Sequence, residues 1–400
     1  MNLKIAIKEQ LSVFKENTID FISEDELIQK LEISISENKP LKLKIGFDPT
    51  ACDIHLGHTV LLNKLHKLQK LGHIVYFVVG DFTAKIGDPS GRITQRPILT
   101  DEEIKKNAST YTSQIFKILD KSKTKIIYNS IWYKDMKLED FLSILTNYTV
   151  ARLLERDDFS KRLKENKPLT ILEMIYPLIQ GYDSVKLEAD VEFGGSDQKF
   201  NLIVGRNLQQ AFRQKPQVVI TLPLLVGLDG KNKMSKSLDN YIGINETPKD
   251  MFGKIMSISD EVMWEYFRLL TDCNLDEIKK LHPKEAKLYL AQTLVSRYYS
   301  HQIAIKEKEE FERIFSKNQL PTQIPTYQAK ADKIDILETL LDAKIVLSKN
   351  EARRLLMQGG IWIIDEKNHS SYSLKEQIIK IPQNGIVLKI GKKKFLKIIS

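Results

Sequence analysis

The 400-residue sequence has little cysteine and no long apolar run, and both shortages exclude classes of protein. Cys52 and Cys273 are too few for a disulfide framework, which predicts a reducing, cytoplasmic location. No apolar stretch reaches the length of a membrane span, so we expect no membrane association. The N-terminal segment mixes charges of both signs in a helical pattern, which predicts neither a signal peptide nor a transit peptide.

The sequence also lacks the glycine-rich loops that usually hold nucleotide phosphates, because neither GxGxxG nor GxxxxGKS occurs in it. Any nucleotide would have to be held by imidazoles and lysines instead. The net charge of +9 permits a polyanionic partner without requiring one. A hydrophobic fraction of 42% with 28% charged residues is typical of a globular protein long enough for two or three domains.

Residues 42–82 have the pattern of a strand, a loop, a helix and a second, buried strand, which is a βαβ unit. His55 and His58 stand where the helix begins. In open α/β sheets ligands bind beyond the carboxyl ends of the strands, and a helix N-terminus there suits a phosphate. Cys52 and the two histidines also have a spacing compatible with metal binding. No fourth ligand cluster lies nearby, however, and zinc usually requires one.

Two later loops follow predicted strands in the same way. Residues 80–92 form a turn-rich loop with Asp81 and Asp88, which either shape turns or meet a substrate ammonium group. Residues 191–198 predict a strand that ends in two glycines, where a ligand can approach the backbone closely.

Between these loops, Tyr176, Gln180 and Asp183 fall at positions i, i+4 and i+7 of a predicted helix, so they share one face. A polar stripe of this kind occurs in core helices whose polar groups are all hydrogen-bonded, and in helices that border a polar cleft. A buried aspartate must be paired, and this requirement favours a binding site.

A lysine-rich loop follows the last predicted buried strand, residues 217–228. Alone, its Lys231, Lys233 and Lys236 fit a solvated basic loop. Because this loop and the two histidines each follow a buried strand, both should lie at one edge of one sheet. There they could surround a triphosphate.

The C-terminal part has a different composition. Residues 316–330 are rich in proline and threonine and predict a linker. Ser348 and Glu351 form a capping box ahead of a short helix. Residues 331–400 contain 13 Lys and Arg against 8 Asp and Glu. This excess fits a solvated charged face or, as we favour, a small RNA-binding module.

Several of these motifs together resemble a known family. HLGH (55–58) and KMSKS (233–237) resemble the two signatures of the class I aminoacyl-tRNA synthetases. GFDPT (46–50), GDPSG (87–91), the Tyr-x-x-x-Gln-x-x-Asp stripe and GGSDQ (194–198) are similar to the bacterial tyrosyl branch of that class. The segment 347–360 is similar to an RNA-binding module also found in ribosomal small-subunit protein S-four. The resemblance covers about residues 40–260 and resumes at 345–365.

The resemblance implies roles for individual residues. It implies a tyrosine site made of Asp48, Asp88, Tyr176, Gln180, Asp183 and Gln198. It implies an ATP site made of His55, Gly57, His58, Asp197, Lys233 and Lys236. It implies catalytic stabilisation of the phosphates by Thr50, His55, His58, Lys233 and Lys236, and contact with tRNA by Arg353 and Arg354.

One position departs from the pattern of many bacterial members. They have a tyrosine two residues before the glycine of GFDPT that helps to hold the substrate phenol, whereas this chain has Lys44. A second bacterial subgroup shares that lysine and the GFDPTAxDxHLGH pattern.

The resemblance implies an α/β protein with a Rossmann-like parallel-sheet catalytic domain that carries a helical insertion. An all-helical domain and a small α+β S4-like RNA-binding domain follow. The expected boundaries are 1–35 for an N-terminal helical segment, 36–238 for the catalytic domain with its insertion at about 101–168, 239–320 for the helical domain, 321–332 for a linker and 333–400 for the RNA-binding domain.

The implied activity is that of a tyrosine–tRNA ligase. Tyrosine would react with ATP to form tyrosyl-adenylate, and tyrosine would then pass to the 3′-terminal adenosine of tRNA(Tyr). Mg²⁺ would share the pyrophosphate charge without a tightly bound, protein-ligated metal, and the protein would be a cytoplasmic homodimer. The rival interpretations are a tryptophanyl-tRNA synthetase, a small-molecule adenylyltransferase, and a non-catalytic RNA-binding protein with a decayed synthetase body.

Overall fold

The structure is a computed structural model that describes residues 3–50, 53–90, 99–315, 319–365, 370–391 and 394–399. The chain divides into two compact units, Met1–Glu307 and Lys308–Ser400. Each unit is described by itself below.

The first unit begins with alternating helices and strands. In chain order its first elements are α1 (Leu3–Lys15), β1 (Asp20–Ile22), α2 (Glu24–Ser36), β2 (Lys42–Phe47), α3 (Leu56–Lys70), β3 (Ile74–Val79), α4 (Asp101–Ile115) and β4 (Thr124–Tyr128). Next come α5 (Ser130–Tyr133), α6 (Leu138–Leu145), α7 (Val150–Leu153), α8 (Asp157–Lys164), α9 (Ile171–Leu187), β5 (Val191–Gly195), α10 (Lys199–Ala211) and β6 (Val218–Leu222).

Six strands form one sheet in the order β1-β6-β5-β2-β3-β4. Neighbouring strands from β6 to β4 are parallel, and β1 is antiparallel to β6 at the edge. Strands β5 and β6 are buried along their whole length, as expected for strands covered by helices on both faces. The parallel order brings the carboxyl ends of β2, β3, β5 and β6 to one edge, which confirms the predicted α/β architecture.

Two short edge strands differ from the expectation of helical structure. Strand β4 lies within residues 101–168, which we predicted as a helical insertion, and pairs with β3. Strand β1 lies within the N-terminal segment predicted as helical, and pairs with β6. Strands of five and three residues at a sheet edge are too short to impose a clear alternation of apolar and polar side chains.

A helical region completes the first unit and runs into the second. Its elements are α11 (Pro248–Ser257), α12 (Asp260–Leu270), α13 (Leu275–Ile278), α14 (Pro283–Tyr298) and α15 (His301–Phe315). Thr247 caps α11 and Ser259 caps α12, each accepting a hydrogen bond from a backbone N–H three residues later.

The second unit contains β7 (Thr326–Gln328), β8 (Lys333–Asp335), α16 (Ile336–Asp342), α17 (Lys349–Met357), β9 (Ile361–Asp365), β10 (Ser370–Ser373), β11 (Ile378–Lys380), β12 (Ile386–Ile390) and β13 (Lys394–Ile399). Five strands pair in the order β10-β9-β12-β13-β7, and β8 pairs with β11. Side chains from both helices and most strands of this unit form its own apolar core. Because β7 belongs to this sheet, residues 321–332 are not wholly a linker as predicted.

Candidate active site

A cavity of about 440 Å³ lies at the carboxyl ends of the parallel strands. Every residue to which the resemblance assigns tyrosine, ATP or catalysis lines it, namely Asp48, Thr50, His55, Gly57, His58, Asp88, Tyr176, Gln180, Asp183, Asp197, Gln198, Lys233 and Lys236. These residues come from six separate segments of the chain. Their proximity follows from the parallel sheet, and their individual roles remain predictions.

The two histidines begin helix α3. Their rings stack with centroids 3.8 Å apart, and the backbone N–H of His55 donates to Nδ1 of His58 at 3.2 Å. Burial and the nearby charge of Lys236 lower the pKa of His58 to about 3. Burial, His58 and Lys236 lower the pKa of His55 as well. Both imidazoles are therefore neutral at pH 7. A neutral imidazole still has one N–H group that it can donate to an anion.

Two details fit an anion beside these rings. Nδ1 of His55 is buried and has no hydrogen-bond partner within the described part of the chain. A Cβ at Gly57 would lie 3.0 Å from the His55 ring, so the bare backbone there leaves room beside the helix start.

The lysine loop closes another side of the cavity. Nζ of Lys233 lies 2.6 Å from Oδ2 of Asp197, and Nζ of Lys236 donates to the carbonyl oxygen of Asp53. The side chain of buried Asn240 shapes the loop, because its Oδ1 accepts from the N–H of Ser235 at 2.7 Å and its Nδ2 donates to the carbonyl of Lys233 at 3.2 Å. If the phosphates of ATP bound both lysines, they would replace Asp197 as the partner of Lys233.

Asp48 lies at the end of β2 within a small hydrogen-bonded group. It accepts from the Thr83 hydroxyl at 2.6 Å and from the Tyr176 hydroxyl at 2.8 Å. A Cβ at Gly80 would stand 2.1 Å from Oδ1 of Asp48 and 2.2 Å from Oγ1 of Thr83. Glycine is thus required at position 80 for this close approach of side chains to the backbone.

Asn201 of helix α10 joins both glutamines of the predicted tyrosine site. Its Nδ2 lies 3.0 Å from Oε1 of Gln180 and 3.1 Å from Oε1 of Gln198. Gln198 in turn donates to Oδ2 of Asp88 at 2.8 Å. Arg156 supports the group by donating to Oδ1 of Asn201 at 3.3 Å.

Asp183 lines the cavity and is 3% exposed. Its carboxylate accepts from Nε1 of Trp132 at 2.9 Å and Nδ2 of Asn129 at 3.3 Å. The Tyr133 hydroxyl lies 3.3 Å from the carboxylate and donates at shorter distance, 2.5 Å, to the carbonyl of Ile179. Burial raises the pKa of Asp183 to about 7, although the charge of Lys44 and the hydrogen bonds from Trp132 and Asn129 oppose the rise. The group is poised between a charged acceptor and a neutral carboxylic acid.

Sequence reasoning missed residues that hold these side chains, among them Asn129, Trp132, Tyr133, Arg156 and Asn201. The first four lie in the segment interpreted as a helical insertion. No local pattern marks them, but the recognition that residues 124–128 form a strand would have placed Asn129 at the same edge of the sheet.

The alternative of a metal site finds no support in the described residues, which contain no group of three or more His, Cys, Asp or Glu side chains able to hold a metal ion. Cys52, the third ligand in that hypothesis, lies outside them. Within the same described ranges every helix is too short or too polar to cross a membrane.

Comparison with known proteins identifies the family. Residues 36–316 match the family model described as tRNA synthetases class I (W and Y). The chain is 50% identical over 398 residues to the tyrosine–tRNA ligase of Aquifex aeolicus (strain VF5), covering 98% of this chain and 99% of that protein. It belongs to the tyrosine–tRNA ligase family. The Haemophilus influenzae ligase is 49% identical, with 98% and 97% of the two chains covered.

Solved structures of the family agree with the fold. The tyrosyl-tRNA synthetase from Archaeoglobus fulgidus, crystallised with L-tyrosine, has a TM-score of 0.60 at 25% identity and covers 76% of this chain and 99% of its own. The Aeropyrum pernix tyrosyl-tRNA synthetase, with a TM-score of 0.61 at 18% identity, shows the same fold.

The second unit also has a counterpart among the ligases. Residues 317–398 match the tyrosine–tRNA ligase SYY-like C-terminal domain. Arg353 and Arg354, the predicted tRNA contacts, are exposed on helix α17 of this unit.

Proposed function

We propose that the cavity binds L-tyrosine and ATP side by side, forms tyrosyl-adenylate and pyrophosphate, and then passes tyrosine to the 3′-terminal adenosine of tRNA(Tyr). The observation that carries the assignment of residues is that the polar stripe of α9, both signature loops and the GGSDQ turn line one cavity. Family membership supplies the reaction, and the contacts above suggest which group performs each part.

The tyrosine subsite lies along helix α9. We assign the phenol hydroxyl to Asp183, because this buried carboxylate lines the cavity and can accept a hydrogen bond from a hydroxyl group. We assign the ammonium group to Asp88, Tyr176 and Gln180, with Asp48 nearby, and the substrate carboxylate to the amide of Gln198. Asn201 supports this assignment, since it orients Gln180 and Gln198 at the same time.

The ATP subsite lies between the histidines and the lysine loop. Gly57 leaves room for the adenine and ribose against the start of α3, and Asp197 would bind the ribose hydroxyls. Thr50, His55, Lys233 and Lys236 would hold the β- and γ-phosphates, with His58 near the α-phosphate. The unpartnered, buried Nδ1 of His55 supports this arrangement.

The chemistry requires no nucleophile from the protein. A carboxylate oxygen of tyrosine forms a bond to the α-phosphorus, and the bond from that phosphorus to the bridging oxygen of pyrophosphate breaks. The protein contributes by positioning the two substrates and by stabilising the negative charge that develops on the leaving pyrophosphate. Neutral histidine N–H groups and two lysines suit this task.

Magnesium fits the site as a companion of ATP. Mg²⁺ in nucleotide enzymes is usually held by substrate phosphates and one or two carboxylates, and no dedicated cluster of three ligands occurs in the described residues. When bound, it would share the charge of the pyrophosphate with Lys233 and Lys236.

Further assignments come from the resemblance to other ligases. We propose that Arg353 and Arg354 contact tRNA phosphates, that the protein acts as a homodimer, and that it works in the cytoplasm. The exposure of both arginines supports the first of these assignments.

Pyrophosphate exchange with each amino acid in turn tests the proposal. We expect exchange with tyrosine, and far slower exchange with phenylalanine, because the latter would leave the polar groups around Asp183 unpaired. Comparable rates with the two amino acids, or a preference for tryptophan, would contradict it. Charging of tRNA(Tyr) by the same preparation tests the second step.

A further inference from the structure

Lys44 is a buried cation that contacts helix α9, which carries residues of the proposed amino-acid subsite. It lies on the central strand β2, is 1% exposed, and stands opposite Glu192 of strand β5, which is 2% exposed. Removing two charges from water is costly unless they are paired and fully hydrogen-bonded. An apolar side chain would serve packing at this position at lower cost, so the buried charge of Lys44 indicates a further role.

All three N–H bonds of the Lys44 ammonium have acceptors. Nζ lies 2.8 Å from Oε1 of Glu192, 2.6 Å from the hydroxyl of Ser184 and 3.2 Å from the backbone carbonyl of Gln180. Oε2 of Glu192 accepts from Ser184 at 3.0 Å and from the amide of Gln217. Lys44 thus joins strands β2 and β5 to one turn of helix α9.

That turn carries the groups assigned to tyrosine. Its Gln180 faces Asn201 and its Asp183 takes the phenol, so the acceptors of Lys44 at positions 180 and 184 bracket the specificity residue. Helix α9 also approaches α10 closely here, because a Cβ on Gly181 would lie 3.0 Å from the backbone of Gly205. The contacts of Lys44 with α9 and the close approach of α9 to α10 together fix the rotation of α9 about its axis.

The same cation balances the charge of the pocket floor. The charged or titratable groups around Asp183 are Lys44 on β2, Glu192 on β5 and the Tyr133 phenol on α5. Lys44 lowers the pKa of Asp183 and Glu192 raises it, while burial accounts for the largest rise. The ammonium of Lys44 is therefore the charge that opposes the effect of burial on Asp183.

We propose that Lys44 is a positioning residue that determines amino-acid specificity. Its ammonium holds the Gln180–Ser184 turn against the sheet and keeps Asp183 able to accept a hydrogen bond from the phenol hydroxyl. The inference rests on the proposed function, in which Asp183 binds the tyrosine hydroxyl.

The test measures tyrosine affinity from pH 5.5 to 8.5 on the full-length protein, by equilibrium binding without ATP. Affinity should rise with pH as Asp183 ionises, with a midpoint near the pKa of about 7. Lys44→Met should move this midpoint upward by about one pH unit, and tyrosine affinity at pH 7 should fall roughly fivefold, because the ionised fraction of Asp183 falls from about one half to about one tenth. Lys42→Met is the matched control, since Lys42 lies on the same strand and also donates to a carbonyl of α9, that of Leu187 at 3.0 Å, whereas Lys44 is the charge that most lowers the pKa of Asp183.

Glu192→Gln provides a second variant with a shift of opposite sign. The amide can still accept a hydrogen bond from Lys44, while the charge that raises the pKa of Asp183 is gone. The midpoint should therefore move downward, by less than Lys44→Met moves it upward, because the charge of Glu192 affects the pKa of Asp183 less than that of Lys44 does. A role confined to stability would not move the midpoint in opposite directions in the two variants.

Three outcomes decide the matter. A folded Lys44→Met protein with the same midpoint and tyrosine affinity as Lys42→Met would overturn the proposal. If Lys44→Met does not fold, an unchanged midpoint in Glu192→Gln would overturn it. Asp183→Asn tests the underlying assignment of the tyrosine phenol to Asp183. If that variant keeps both the midpoint and the preference for tyrosine over phenylalanine, the assignment of Asp183 fails, independently of Lys44.

Discussion

Asn201 offers a direct test of how the tyrosine site is held, because it would not touch the substrate under our assignment. Its amide donates to Gln180 at 3.0 Å and to Gln198 at 3.1 Å, and it is 1% exposed. We expect Asn201→Ala to fold but to release both glutamines from their fixed orientation. Tyrosine would then have to order them when it binds.

The magnitude follows from the number of side chains released. Fixing one long side chain on binding costs about 0.5–1.5 kcal/mol, so two glutamines correspond to roughly 1–3 kcal/mol. Since about 1.4 kcal/mol is a factor of ten, tyrosine affinity should fall roughly 5- to 150-fold. The contacts assigned to ATP do not include Asn201, so the KM for ATP should change little.

The assay is pyrophosphate exchange at varied tyrosine with saturating ATP, and the reverse. Asn207→Ala is the control, because Asn207 lies on the same helix α10 and contacts Tyr148 instead of the cavity. If Asn201→Ala has an unchanged KM for tyrosine, the glutamines are held by other groups and our reasoning is wrong. Equal increases of both KM values would point to a general disturbance of the cavity.

Three further predictions concern other parts of the molecule. Lys233→Ala and Lys236→Ala should each slow tyrosyl-adenylate formation about a hundredfold, with tyrosine affinity measured without ATP unchanged; a parallel loss of that affinity would show that the loop serves tyrosine. Gly80→Ala should raise the KM for tyrosine by displacing Asp48, whereas Gly253→Ala, whose Cβ meets nothing within 4 Å, should not; equal effects would refute the crowding argument. Removal of residues 316–400 should preserve tyrosine-dependent exchange and weaken tRNA charging through lost phosphate contacts, an outcome contradicted by normal charging over a range of salt.

Much of the site could be predicted from the sequence, since each predicted piece follows a regular element. The stripe on α9 has helical spacing, and the histidines, the GGSDQ turn and the lysine loop each follow an apolar strand. Parallel strands place such ends together regardless of their distance along the chain. The predicted α/β fold is confirmed for this reason.

The supporting residues could not be predicted because no periodic pattern contains them. Asn129 and Trp132 reach Asp183 only because β4 joins the sheet. The sequence of this five-residue edge strand is too short to be distinguished from the charged segments around it by an apolar pattern. Asn201 is one polar residue in an amphipathic helix. The partners of Lys44 depend on the register of β2 against β5, which the sequence of either strand alone does not specify.

The strand order of the second unit also has a consequence for biosynthesis. Strand β13 is the last described strand in the chain, yet it lies inside the sheet between β12 and β7, and β7 pairs only with β13 among the described strands. During synthesis, β7, the first strand of this sheet, therefore has no described partner strand until β13 has been made. Folding of the unit during translation therefore cannot be completed until β13 has left the ribosome. A chain that stops just before β13 should lack an ordered second unit, although it would contain nearly all of its residues.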